Sequence, residues 1–191
     1  HGFDEGARCT AVELAARLGL PCDLNLNFLP LSVESSHTSI ASTLETAERC
    51  GIAASRIVLE ILESEIIHDH DGFAGAVNAH RALGLRTAID DFGAGYAGLT
   101  LLAELLPDAI KLDMGLVRDV HQSGPRQAVI RGVMRTCVDL GVDVIAEGVE
   151  KAEEYAWLRA EGISLFQGWL FGEPMFEGLP DAAFPPPVTG S

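Results

Sequence analysis

Basic side chains are scarce in this chain: 13 Lys and Arg stand against 28 Asp and Glu over 191 residues, a net charge of −15 at pH 7. That balance argues against a nucleic-acid-binding surface, which needs Lys and Arg to neutralise phosphates. A phosphate ligand would need its charge offset by something other than side chains, and a divalent metal is the obvious candidate. Cysteines are few, at 9, 22, 50 and 137. No two form a C-x-x-C clip and no His stands at zinc-finger spacing from a pair. They read as reduced thiols of a cytosolic protein rather than as a disulfide framework. No apolar run approaches the 18 residues or so of a membrane-spanning helix. The opening His1-Gly2-Phe3-Asp4-Glu5 has neither the basic start nor the apolar stretch of a signal peptide. It also has no Met, so the true start is expected upstream.

What remains is a globular mixture, 48 % apolar and 21 % charged. So much apolar surface excludes wholesale disorder. Short, often β-branched segments read as strands at Asp23–Phe28, Arg56–Leu62, Arg86–Asp90, Ala109–Asp113, Asp143–Glu147 and Ser164–Gln167. Helical stretches fall at Asp4–Leu18, Ser39–Cys50, Phe73–Leu83, Gly98–Leu105, Arg126–Leu140 and Ala152–Ala160. Gly19, Gly51, Gly84, Gly141 and Gly162 each follow a helix and suit a left-handed cap. Helix, glycine, strand, repeated five times, predicts α/β units with parallel strands in one domain. The tail from Phe184 through Pro185-Pro186-Pro187 is expected to be extended.

In both open and closed parallel α/β folds, ligands sit at the carboxyl ends of the strands. The six expected strands deliver Asn27, then Glu60 and Glu63, then Asp90-Asp91, then Lys111 and Asp113, then Glu147 with Glu150, and finally Gln167. A single Asp is as readily a helix cap as a ligand. A ring of carboxylates with one Lys is costly unless cations share it, and oxygen ligation suits Mg²⁺ or Mn²⁺. Two ions clamping an in-line phosphoryl displacement fit the inventory. Lys111 reads equally as an aid to the attacking water or as a salt bridge to Asp113 or a neighbour.

These stretches resemble the EAL family of cyclic-di-GMP phosphodiesterases. The resemblance is carried by Asn25-Leu26-Asn27-Phe28-Leu29-Pro30, Leu59-Glu60-Ile61-Leu62-Glu63-Ser64, Ala88 through Tyr96, Ile110-Lys111-Leu112-Asp113, Ile145 through Glu150, and Phe166 through Phe171. It implies a modified (β/α)₈ barrel that uses two Mg²⁺ or Mn²⁺ ions to hydrolyse cyclic-di-GMP to 5′-pGpG. It implies Asn27, Glu60, Asp90 and Asp91 as metal ligands, and Lys111, Glu147 and Gln167 as catalytic residues. Glu63 is implied as the anchor of the loop Phe92-Gly93-Ala94-Gly95-Tyr96, which in the family couples dimerisation to metal binding. Asp113 and Glu150 are placed as supports behind the ligands. A homodimer, an upstream sensor domain and a cytoplasmic location follow from the same resemblance, with no DNA partner and no membrane segment.

The chain departs from the family in one respect. The Glu-Ala-Leu triplet whose Glu ligates metal is absent, and Val12-Glu13-Leu14-Ala15 has the wrong order. Phe3 to Leu18 resembles the helix after the second family strand. Residues 1–180 are therefore expected to be an EAL-like barrel lacking its first two strands, with a Pro-rich tail at 181–191. Six strands of an eight-stranded barrel leave open edges and an uncovered core. Weak or no hydrolysis is expected of this chain alone.

Three readings follow: a metal-dependent phosphodiesterase, a degenerate domain that binds cyclic-di-GMP without cutting it, and a protein-interaction domain. His37, His68, His70, His80 and His121 are expected to be solvated. Trp157 is read as core. Trp169 stands between packing in the core or at the rim and lining the mouth or stacking on a guanine.

Overall fold

The computed structural model describes residues 2–28, 33–66, 70–95 and 98–185; Pro30, His68, Tyr96, Pro186 and Pro187 lie outside them, as do the side chains of His37 and His70. The chain divides into two compact units, residues 1–89 and 90–191.

The first unit runs α1 (Gly2–Arg17), β1 (Leu24–Asn27), α2 (Val33–Cys50), β2 (Ile57–Leu62), α3 (Glu63–Ile66), α4 (His70–Ala82) and the opening of β3 (Arg86–Phe92). β1 and β2 pair in parallel, with Asn27 in register with Glu60. Most of β2 is buried, as expected for a strand covered on both faces. Its Ile57, Leu59 and Ile61 join Phe28, Ile40 and Ile89 in the core. His80 belongs to this core and is 0 % exposed, which corrects the expectation that it is solvated. It lies on the α4 face that also buries Ala76 and Val77, one helical turn away, and its ring meets Phe28 edge-on at 4.9 Å.

The second unit continues from the end of β3 through α5 (Gly98–Leu105), β4 (Ala109–Leu112), α6 (Met114–Val117), α7 (Gly124–Leu140), β5 (Asp143–Ala146), α8 (Ala152–Ala160) and β6 (Leu165–Phe166). β4 pairs in parallel with β5, and β5 with β6. All four residues of β4 are buried. Leu101, Leu102, Ile110, Leu112, Ile130 and Leu158 form the core. Trp157 is half-buried, with the Arg131 guanidinium 5.4 Å from its ring centre.

The five expected glycine caps all take positive φ, from +62° to +100°. At Gly141, φ is +71° and its N–H donates to the carbonyls of Cys137 and Val138, closing α7. The cysteines are all free thiols, with Cys137 buried.

Candidate functional site

The polar residues expected at the strand ends are found there. In the first unit, β1 alternates so that Leu26 is buried while Asn25 and Asn27 are exposed. The Asn25 amide Nδ2 donates to Glu60 Oε1 at 2.7 Å, and Asn27 stands beside Glu60 in the parallel register. Glu63 opens α3 and is 2 % exposed.

In the second unit, three strand ends converge. β3 presents Asp90 and Asp91. Asp91 takes φ +54°, a left-handed conformation that Asp tolerates better than most residues. Its N–H donates to Asp90 Oδ1 at 3.0 Å. β4 presents Lys111, which is 4 % exposed. Its ammonium Nζ lies 3.1 Å from Asp90 Oδ1 and 2.7 Å from Glu147 Oε1. The sequence offered Asp113 or a neighbour as a salt-bridge partner for this lysine, and the structure places Asp90 and Glu147 beside it. Glu147 follows β5, with its N–H donating to the Leu112 carbonyl at 3.3 Å.

One carboxylate oxygen from each of Asp90, Asp91 and Glu147 lies within 4.8 Å of the other two. Burial raises the Glu147 carboxyl to about 7; Lys111 opposes that shift and the Asp90 charge adds to it. Lys111 contacts two of these three acids, Asp90 and Glu147. The donor set is all oxygen and anionic, which fits a hard divalent ion such as Mg²⁺ or Mn²⁺.

The remaining expected residues of this unit follow the ends of β4, β5 and β6. Gln167 follows β6: its N–H donates to the Ala146 carbonyl at 2.8 Å and its carbonyl accepts from Val149 N–H at 3.1 Å. Asp113 caps α6, its Oδ1 accepting from Gly115 N–H at 2.9 Å. Glu150 pairs with Arg118 at 3.3 Å on the exposed surface.

A second group of possible ligands, Asp119, His121 and Glu154, is already served by the chain. The Lys151 ammonium lies 2.5 Å from Asp119 Oδ1. Glu154, 1 % exposed, accepts from the N–H groups of Asp119, Glu150 and Lys151. The sequence reading missed Glu154; its signal was its place at the third position of α8, where a carboxylate reaches back to the cap.

Residues 4–174 match the family model for the EAL domain. The chain belongs to the EAL domain family. It is 39 % identical over 162 residues to the blue light- and temperature-regulated antirepressor BluF of Escherichia coli K12, covering 85 % of this chain. It is 34 % identical over 160 residues to the cyclic di-GMP phosphodiesterase PdeR of the same organism, covering 83 %. It spans only 40 % and 23 % of those two proteins.

Two solved EAL structures superimpose closely. A standalone versatile EAL protein from Vibrio cholerae O395, with c-di-GMP bound, gives a TM-score of 0.90 at 40 % identity, covering 96 % of this chain and 77 % of that one. Klebsiella pneumoniae BlrP1 in its manganese/cy-diGMP complex gives 0.88 at 42 % identity, covering 93 % and 45 %. The fold is thus the α/β, TIM-barrel-like fold of EAL domains.

Proposed function

We propose that this EAL domain carries the metal-binding and catalytic rim of a phosphodiesterase that hydrolyses cyclic-di-GMP to 5′-pGpG. The observation that carries the reading is Lys111, buried between Asp90 and Glu147 beside a three-carboxylate cluster. Relatives named as cyclic di-GMP phosphodiesterases and the ligands of the solved EAL structures support it.

Asp90 and Asp91 are assigned as ligands of Mg²⁺ or Mn²⁺, two ions in the complete site, and Asn27 and Glu60 are assigned as metal ligands from the first unit. Bound there, the ions would supply charge stabilisation at the phosphoryl group and a lowered water pKa. Hydrolysis adds water at phosphorus and breaks the bond to one 3′ oxygen, which leaves as a hydroxyl. Lys111 offers its fixed ammonium to the attacking water and to charge developing on the phosphoryl oxygens. Glu147, raised toward neutrality, is assigned to exchange a proton near Lys111. Gln167 is assigned to positioning the water. Glu63 is assigned as a loop anchor, and Asp113 and Glu150 to supporting the ligands.

Residues 1–180 are assigned to the EAL domain and 181–191 to a tail. The 191 residues contain no Glu-Ala-Leu triplet, so a polypeptide of these residues alone is expected to hydrolyse cyclic-di-GMP weakly or not at all. A homodimer, a sensor domain preceding this one and a cytoplasmic location belong to the same proposal. BluF, named as an antirepressor, favours a second reading: a domain that binds cyclic-di-GMP or a protein partner without catalysis.

The test is 5′-pGpG production in Mn²⁺ by the chain with the family's N-terminal strands supplied. Turnover that falls about 10²–10⁴-fold in Lys111→Ala supports the phosphodiesterase. Nucleotide binding without turnover in the wild type supports the second reading.

A further inference from the structure

We infer that Trp169 is a stacking platform for a purine base of the bound dinucleotide, an inference that rests on reading this rim as a cyclic-di-GMP site. The structure removes the core alternative for this residue. The indole is 68 % exposed.

The backbone beneath it is fixed. A side chain at Gly168 would place its Cβ 2.2 Å from the Val149 carbonyl oxygen and 2.4 Å from its nitrogen, so only glycine allows this approach. Val149 N–H donates to the Gln167 carbonyl and Leu170 N–H to the Val149 carbonyl, each at 3.1 Å. From below, Phe171 is buried against Tyr155 at 5.5 Å and Phe166 at 5.8 Å. A rigid turn thus holds a large aromatic ring in solvent.

That turn is bonded to the one that follows Glu147. Val149 is two residues from Glu147, at most about 7 Å of chain, which is the scale of a single nucleotide. By chain length alone, the base of a nucleotide whose phosphate is held at the carboxylate cluster reaches as far as the turn that carries Trp169. Every base offers a π face, so the stack supplies affinity without choosing between guanine and adenine.

Calorimetry in Mn²⁺ tests this, with cyclic-di-GMP and, separately, Mn²⁺ alone titrated into the wild type, Trp169→Phe, Trp169→Leu and Trp169→Ala. Stacking predicts cyclic-di-GMP binding roughly 10-fold or more weaker in the Ala and Leu variants and largely kept in Phe. Mn²⁺ affinity stays unchanged in all three. Wild-type cyclic-di-GMP affinity retained in Trp169→Ala overturns the stack and leaves the reading of the site standing. Mn²⁺ affinity lost together with nucleotide affinity also overturns it, because the ring then shapes the metal cluster instead. No cyclic-di-GMP binding by the wild type overturns the reading of the site and the stack with it.

Discussion

Lys111 and Glu147 carry most of the chemistry visible in the second unit. A buried ammonium is stable only when paired, and Lys111 has two carboxylates within 3.1 Å. Glu147 makes the opposite compromise. Its carboxyl, usually near 4.5, is raised to about 7 by burial. The folded protein therefore holds this proton more tightly than the unfolded chain does between about pH 4.5 and 7. The stability it contributes is full below that window and is lost as pH rises through about 7. The melting temperature of the metal-free protein should fall from pH 5 to pH 8 relative to Glu147→Gln, which cannot ionise. Parallel pH profiles for the two proteins would contradict the assignment. The strand-end position of each residue was legible in the sequence, because a charged residue closing an apolar strand is a local signal. Their partnership was not: Lys111 and Glu147 are 36 positions apart, and only the parallel register of β4 and β5 brings them together.

At the scale of elements, the alternation of helix, glycine and strand was readable because every αβ unit repeats it. The ends were less so. The expected strand Ala109–Asp113 stops at Leu112 because Asp113 turns its side chain to cap α6. The expected helix Arg126–Leu140 begins at Gly124, with Pro125 in its first turn. α3 and α6, four residues each, are too short to show a periodic apolar face. α6 nevertheless matters to the rim. A Cβ at Gly93, just past Asp91, would lie 2.5 Å from Leu116 Cδ1, and one at Gly148, just past Glu147, would lie 2.7 Å from Met114 Cβ. One short helix therefore packs on both turns that follow the site acids. Asp113→Ala should lose the cap and about 1 kcal/mol of stability in denaturant titrations, whereas Asp113→Asn, an equally good cap, should lose little. An equal loss in both would show that the charge matters, not the cap.

For the whole molecule, charge is the governing quantity. A net −15 opposes a dianionic dinucleotide, and the Asp90, Asp91 and Glu147 cluster adds to that locally. Among the described residues no helix is long and apolar enough to cross a membrane. Binding such a dinucleotide would therefore depend on cations entering the acid cluster. The most direct measurement is a calorimetric titration of Mn²⁺ into the wild-type chain and into Asp90→Asn. Saturable binding to the wild type is expected, weakened at least about 10-fold in the variant by loss of a carboxylate ligand. No Mn²⁺ binding by the wild type, or the same affinity in both proteins, would contradict it.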